Sequence, residues 1–427
     1  MNTQYTNNWA KISFIALIVS SLILPTGVLA NVPIKYFMYI CCMATLFACW
    51  LNGVKISATL ISLFIAVLLF VAFFSLVGFL HAAVPFQYIF SEGMLFISTT
   101  TVTLLILMGN SCKVIEDEEI VLSAFYGIFF FTLWKAIALS LVYLHIISFE
   151  MLMYYLEKYA QCNVVTDDIP GGFHRLSLTT HDFVATFFLF LIPAYPKIFS
   201  KIPVFLRIVF MITGTIALVS SYSRFFFAII AMLWLYVFLF KLSFKQRIFT
   251  AIIIIAILLP LFPWISETFT QKFSSEGAEY SDTIRLKQFT ALLDAWEDVP
   301  IFGGGLGYNT KDYIRLTYLY EVQWVSFLLK FGLVGISFLV FLLFLLFYKI
   351  LDGKKTLDHY VLAFVLLCYI LGAFTNPILL SSITAIFYVL PLILASILRK
   401  EPVLTPQIEE AKPAPARRRF SHQPTRP

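Results

Sequence analysis

Apolar residues dominate this chain in long continuous runs rather than in a repeating polar–apolar pattern. The runs show neither the period of a half-buried strand nor that of an amphipathic helix, and most are about 17 to 28 residues long. A helix rises 1.5 Å per residue, so about 20 residues cross the roughly 30 Å of hydrocarbon in a bilayer. Each run therefore predicts a membrane-spanning helix.

About twelve such helices follow one another, which predicts an all-α membrane protein. The fourth and sixth runs are the weakest. Glu92 directly precedes the fourth, and Pro193 and Pro196 shorten the sixth. The predicted spans are approximately residues 12–30, 36–52, 57–80, 93–109, 120–148, 182–196, 204–221, 225–240, 247–264, 323–348, 358–374 and 378–398.

The Lys and Arg residues of the short connections predict the orientation of these helices. Cytoplasmic loops retain Lys and Arg, because translocation of positive charge is disfavoured. The opposite short loops hold only Lys35 and Arg224, so we expect both termini to be cytoplasmic. The basic residues that share one side are Lys11, Lys55, Lys113, Lys197, Lys201, Lys241, Lys245, Arg247, Lys349, Lys354, Lys355, Arg399 and Lys400.

This orientation divides the chain into a polytopic membrane domain, residues 1–400, and a tail, residues 401–427. The tail is rich in proline and charge, so it is predicted to be a disordered cytoplasmic segment. Two connections on the other side are long, at about 149–181 and 265–322. The second is a large periplasmic loop between predicted helices nine and ten.

Composition excludes several classes of protein. Hydrophobic residues make up 60% of the 427 residues, charged residues make up 13%, and mean hydropathy is +0.89. A water-soluble enzyme or nucleic-acid-binding domain cannot bury that much apolar surface. The net charge of +6 is explained by the cytoplasmic loops and requires no nucleic acid. The six cysteines show no metal-ligand spacing, so no metal is expected.

Several polar motifs follow one another along the segments that are predicted to lie on the outer side of the membrane. Arg175 follows Gly172-Phe173-His174, Arg224 follows Ser221-Tyr222-Ser223, and Arg285 lies in the large loop. Three further segments come after Arg285. They are residues 296–307 (WEDVPIFGGGLG), 327–335 (FLLKFGLVG) and 375–382 (TNPILLSS).

These segments resemble those of the bacterial O-antigen ligase and O-antigen polymerase (Wzy) superfamily. Residues 296–307 are similar to its "W..NPLFGVGLG" segment, residues 327–335 to its "yLlllLryGliG" helix, and residues 375–382 to its "tNPyLlsS" turn. The likeness covers chiefly residues 170–382. The first five helices agree only in number and hydropathy.

The resemblance implies a glycosyltransferase in the bacterial inner membrane that needs neither a metal nor a cofactor. Such enzymes move a glycan from an undecaprenyl pyrophosphate carrier to an acceptor hydroxyl at the periplasmic face. The expected partners are this lipid-linked oligosaccharide and the bilayer, and a chain-length regulator in the membrane is a candidate. The chemistry needs fixed cations, because the pyrophosphate leaves with negative charge and arginine pairs with phosphate oxygens bidentately.

The resemblance assigns catalytic roles to Arg224, Arg285 and Glu321. Arg224 matches a helix-boundary arginine of the family and Arg285 a loop arginine, so both are assigned to the pyrophosphate. An interfacial anchor for Arg224, and a solvated loop charge paired with Asp282 for Arg285, are the alternatives. Ligases carry a histidine where this chain has Glu321, which favours polymerase over ligase. Glu321 would take or orient the acceptor proton, or else would simply favour the start of a helix.

Five further residues are candidates for substrate binding. Arg175 lies where the family often has an arginine, and His181 could replace the absent histidine, although loop packing or capping also explains them. Gly304 and Gly305 offer bare backbone to a ligand, although a glycine cluster alone is a weak signal. Lys330 lies roughly 13 Å below Glu321 along its helix and would line the floor of an outward cavity.

Two other functions compete with a polymerase. An O-antigen ligase would transfer the glycan to lipid A-core. A flippase or transporter of lipid-linked oligosaccharides would also be polytopic, but its site would lie near the midplane, often between internal repeats. The halves of this chain show no repeat, and its polar residues collect in outer loops, which favours chemistry at the membrane surface.

Overall fold

The structure is a computed structural model. The predicted tail, residues 401–427, lies outside the described residues, as does Gly172. The structure describes residues 3–24, 32, 34–81, 84–160, 168–169, 173–273, 275–310, 320–353 and 355–400.

Fourteen α-helices account for most of the described chain. They are α1 (Thr3–Ile23), α2 (Ile34–Leu51), α3 (Ala58–Leu80), α4 (Phe86–Ser111), α5 (Asp117–Tyr143), α6 (Phe149–Ala160), α7 (Thr179–Ala194), α8 (Val204–Ser221), α9 (Arg224–Tyr236), α10 (Phe244–Phe273), α11 (Ser275–Glu297), α12 (Gln323–Leu351), α13 (Leu357–Gly372) and α14 (Ser382–Lys400). A π-helical turn, Val237–Lys241, continues α9. Strands β1 (Asp168–Ile169) and β2 (Phe173–His174) pair antiparallel between α6 and α7.

The prediction of an all-α membrane protein is confirmed. Among the described residues, eight helices are long and apolar enough to cross a membrane: α2, α3, α4, α5, α8, α9 with its π-turn, α12 and α14. Apolar stretches of α1, α7 and α13 are shorter. Helices suit lipid because each satisfies its own backbone hydrogen bonds. The count of twelve spans and the position of the large loop stay predictions.

Two helices lie within segments that the sequence indicated as outer loops. Helix α6 buries Leu152 and Leu156 and exposes Tyr154 and Tyr155, a division typical of a helix lying in the membrane interface. Helix α11 occupies most of the first half of the predicted 265–322 loop. Hydropathy does not reveal such helices, because neither contains an apolar run long enough to span lipid.

Three ion pairs gather at one end of the helical bundle, which we call the proximal end. They join basic residues near the chain termini and the α7–α8 connection to the first turn of α5. From there α5 runs for 27 residues to Tyr143 at the distal end. The pairs are Lys11–Glu119, Lys201–Glu118 and Lys400–Asp117. All three lysines belong to the predicted cytoplasmic set, and the assignment of this end to the cytoplasm stays a prediction.

Phenylalanine side chains fill the space between α5, α7 and α8. Phe125 of α5 lies 6.2 Å from Phe188 of α7 and 5.3 Å from Phe210 of α8, measured between ring centroids, and all three are fully buried. Thr132 and Thr213 share a hydrogen bond of 3.0 Å across the same interface. Lipid is as apolar as these side chains, so close packing and hydrogen bonds hold the helices together. This core holds α5, α7 and α8 together in the proximal half of the bundle.

Candidate active site

A tight turn at the distal end sets the position of Arg224. Helix α8 ends at Ser221, Tyr222 adopts a left-handed conformation with φ of 50°, and α9 begins at Arg224. A non-glycine residue with positive φ is uncommon and marks a sharp reversal of the chain. The Nη2 atom of Arg224 lies 3.7 Å from Oδ1 of Asp282 in α11, and the arginine side chain is 30% exposed.

One face of α11 carries the polar residues that meet Arg224 and the segment before α12. Asp282, Arg285 and Gln288 follow at intervals of three residues, which places them along one side of a helix. The Nη1 atom of Arg285 donates to Oδ1 of Asp282 at 3.1 Å, and its Nε donates to Oε2 of Glu321 at 3.1 Å. The buried Gln288 accepts the backbone N–H of Glu321 at 2.9 Å. Helix α11 thus positions both ends of Glu321.

These contacts unite the three residues predicted to be catalytic. Arg224, Asp282, Arg285 and Glu321 form an alternating series of charges, which we call the charge chain. The two arginines and Glu321 are 25–30% exposed, so a ligand can reach them. Exposed ion pairs contribute about 0–1 kcal/mol each. An incoming anion with better geometry can therefore replace the carboxylates at small cost.

The start of α12 is tied to the turn before α14. Gln323 donates its backbone N–H to the carbonyl of Ala373 at 2.9 Å, and its side-chain Oε1 accepts the N–H of Leu379 at 2.8 Å. Trp324 donates its ring N–H to the carbonyl of Ile370 at 2.9 Å. These bonds hold the helix end next to Glu321, and the bond to Leu379 gives residues 375–382 a part in positioning it.

Arg175 lies at the same helix end as Arg224. Its Nε donates to the carbonyl of Ser221 at 2.9 Å, and the N–H of Leu176 donates to the carbonyl of Ser220 at 3.1 Å. The segment that leads into α7 is therefore fixed to the last turn of α8. In this way Arg175 lies close to the start of α9.

His181 and Lys135 lie deeper in the bundle. Lys135 of α5 donates to Oδ1 of Asp182 at 2.7 Å and to the carbonyl of Ala217 at 3.2 Å. His181 is 2% exposed and stacks on Phe131 with ring centroids 4.4 Å apart. Within the described part of the chain its Nε2 atom has no hydrogen-bond partner. These contacts place His181 in the core rather than in the charge chain.

Helix α12 is interrupted at Gly332, where φ is 56° and ψ is −165°. The next two backbone N–H groups turn away from the preceding helical turn. Leu333 donates to the carbonyl of Pro300 at 3.0 Å, and Val334 donates to that of Ile301 at 3.1 Å. The break leaves two carbonyls of the preceding turn without their helical donors.

The glycine segment, residues 302–307, supplies the missing donors. Gly304 donates to the carbonyl of Leu329 at 2.9 Å and Gly305 to that of Lys330 at 2.8 Å. Gly305 has φ of 83°, and a Cβ atom there would overlap the backbone of Gly78 in α3. Both requirements select glycine, because other residues are strained in that conformation and would not fit. The bare backbone at these two glycines thus approaches protein in this structure.

Lys330 pairs with Glu92 of α4. Both side chains are 3% exposed, and the second carboxylate oxygen of Glu92 accepts the N–H of Gly307 at 2.7 Å. A charge in hydrocarbon is costly unless it is paired, so this pair joins α4, α12 and the glycine segment. The predicted role of Lys330 as the floor of an outward cavity stays untested.

Sequence reasoning gave no role to Gln288 and used Glu92 only to mark a weak span. A usable signal was present for Glu92, since isolated opposite charges within spans tend to pair, as Lys330 does here. The signal for Gln288 was its helical spacing from Arg285. It went unused because the segment was interpreted as a loop. No cluster of three His, Cys, Asp or Glu able to hold a metal occurs within the described ranges.

One family model matches part of the chain. Residues 208–340 match the family model described as O-antigen ligase (Wzy_C). The matched region includes the whole charge chain, the glycine segment and the Gly332 break. The searches of curated proteins and of solved structures gave no match.

Proposed function

We propose that this chain is a polysaccharide polymerase of the superfamily of O-antigen polymerases and ligases, which the family match over residues 208–340 supports. Its donor is a glycan on undecaprenyl pyrophosphate, and its acceptor is a sugar hydroxyl of another lipid-linked repeat unit. The reaction takes place at the periplasmic face of the inner membrane. The observation that supports the proposal is the charge chain, in which Asp282 pairs with Arg224 and Arg285, and Arg285 also pairs with Glu321.

The two arginines bind the pyrophosphate of the donor. Asp282 pairs with both guanidinium groups, and Glu321 pairs with that of Arg285. A pyrophosphate offers more charge and several oxygens that fit the planar arginine fork, so it displaces the carboxylates. As the glycosidic bond to phosphate breaks, the arginines stabilise the negative charge that develops on the leaving group. A well-placed donor of this kind contributes roughly 3 kcal/mol.

Displacement from Arg285 releases the Glu321 carboxylate for the acceptor. The carboxylate accepts the proton of the attacking hydroxyl, or orients that hydroxyl, as the new glycosidic bond forms. Its backbone N–H remains bonded to Gln288, so Glu321 stays in place while its partner changes. Donor binding thus prepares the base at the same moment as the leaving group is engaged. Polymerase is favoured over ligase because Glu321 stands where ligases of the family have histidine.

Deletion of the gene followed by electrophoresis of surface polysaccharide tests this function. A polymerase defect leaves lipid A-core that carries at most one repeat unit. Restoring the gene should restore the ladder of long chains, and restoring it with Arg285→Ala should not. A ligase defect would instead leave bare lipid A-core and long polymer stranded on the carrier, and that result would replace polymerase by ligase.

A further inference from the structure

A large groove opens at the distal end between α5 and α8. The last two turns of each helix form its walls, and the beginning of α6 and the end of β2 close it. Its volume is about 1100 Å³, above the roughly 300–1,000 Å³ of sites that bind compact small molecules. Leu139 and Tyr143 of α5 and Thr215 and Ile216 of α8 are among the residues that line the walls.

The groove opens sideways and is apolar. Tyr143 is 63% exposed and Ile216 is 37% exposed, and both belong to helices that are able to span the membrane. The hydroxyls of Ser140 and Thr215 in the walls donate to carbonyls of their own helices, that of Ala136 at 2.8 Å and that of Met211 at 2.7 Å. These hydroxyl protons are already donated, so the walls suit hydrocarbon rather than a polar solute.

One end of the groove meets the arginines. His174 and Ser220 line that end, and the carbonyl of Ser220 accepts the N–H of Leu176. The adjacent Arg175 is bonded to the carbonyl of Ser221, and Arg224 begins the next helix. The largely apolar groove therefore ends beside Arg175, which does not itself line it, and Glu150 at the start of α6 is the acidic residue of its lining. An amphiphile with a long hydrocarbon tail and a multiply charged anionic head has matching chemistry.

We propose that this groove holds the polyprenyl tail of the lipid-linked donor. The tail lies between α5 and α8, and the pyrophosphate emerges beside Arg175 on the way to Arg224. The proposal rests on the proposed function, because that function supplies the polyprenyl pyrophosphate. Its added content is the path of the tail and a role for Arg175 at the junction of tail and head.

Photo-crosslinking tests the path without relying on turnover. Benzoylphenylalanine is placed at Leu139, which lines the groove, and in a matched variant at Ile137, which is 52% exposed but does not line it. Each purified full-length protein is irradiated with undecaprenyl pyrophosphate in nanodiscs of ordinary phospholipid. We expect undecaprenyl adducts at Leu139 to exceed those at Ile137 by about tenfold, since burial of two methylene groups already favours binding by that factor.

Equal adducts at both positions, or phospholipid adducts at Leu139 that undecaprenyl pyrophosphate does not displace, would overturn the proposal. Because the readout is an adduct, a chain that fails to polymerise glycan but labels at Leu139 would refute the proposed function and leave the groove assignment standing. Normal polymerisation without labelling at Leu139 would refute the groove assignment and leave the proposed function standing.

A narrowed groove provides a second test. Thr215→Trp places an indole ring in the groove, whereas Ile212→Trp alters a position on α8 that is 57% exposed and outside the groove. We expect Thr215→Trp to raise the Kd for undecaprenyl pyrophosphate by about tenfold and to leave the Kd for inorganic pyrophosphate unchanged. Ile212→Trp should change neither. Unchanged binding of both ligands to Thr215→Trp, or equal loss of both, would contradict a tail site.

Discussion

Replacing Lys330 with methionine should destabilise the whole distal half of the bundle. The substitution removes one partner of a pair in which both side chains are 3% exposed, and it leaves the Glu92 carboxylate buried without its cation. Breaking a buried pair in this way costs about 3–5 kcal/mol. The destabilisation extends to the glycine segment, because Glu92 also accepts the N–H of Gly307 and so holds that segment against α12.

Thermal unfolding of the purified protein in detergent measures this effect. If each kcal/mol shifts Tm by about 2 °C in a chain of this size, Lys330→Met should lower Tm by roughly 6–10 °C. The double variant Lys330→Met with Glu92→Leu should lose less than either single variant, because no charge remains buried. Lys287→Met, at an exposed position of α11, serves as the control and should unfold at the parental temperature. Parental Tm in Lys330→Met, or additive losses in the double variant, would refute the pairing.

Two further predictions address orientation and proton transfer. A cysteine is placed at Ser275 in α11, in a background without native cysteines. It should react with an impermeant maleimide in cells whose outer membrane is permeabilised, because the basic loops are predicted on the opposite side of the membrane. Labelling only after lysis of the inner membrane would show that the predicted topology is reversed. Glu321→Gln should lower the polymerisation rate by roughly 10² to 10⁴ with donor binding retained, because an amide cannot accept the acceptor proton. Elongation at the parental rate would show that Glu321 is not the base.

The spans and the arginines were accessible from sequence because each depends on local chemistry. Long apolar runs indicate membrane helices without any knowledge of their neighbours. Arg224 and Arg285 were recognised through neighbouring motifs of the family. Their proximity to Glu321 was implied only by the resemblance, and the structure brings Arg285 within 3.1 Å of that carboxylate. The pairing of Arg285 with Asp282, weighed as its alternative, is present as well.

The sequence does not predict contacts between residues that are far apart along the chain. Lys135 and Asp182 are 47 residues apart and pair only because α5 and α7 pack side by side. The glycine segment was interpreted as a flexible approach to a ligand, whereas its N–H groups replace the donors that α12 loses at Gly332. That exchange requires a helix break, which one positive φ produces and hydropathy does not reveal. Helix α11 was missed because it is polar and hydropathy identifies only apolar helices.

The rate of chain elongation by purified Arg285→Ala tests the central claim most directly. Undecaprenyl pyrophosphate-linked repeat units serve as donor and acceptor, Arg285→Lys is measured in parallel, and membrane accumulation confirms that each variant folds. Removing one guanidinium that stabilises the leaving group costs roughly 3 kcal/mol, so Arg285→Ala should elongate chains 10² to 10³ times more slowly. Lysine should restore only part of the rate, because an ammonium group cannot form the bidentate fork. Elongation by Arg285→Ala at the parental rate would contradict the assignment of the charge chain to the pyrophosphate.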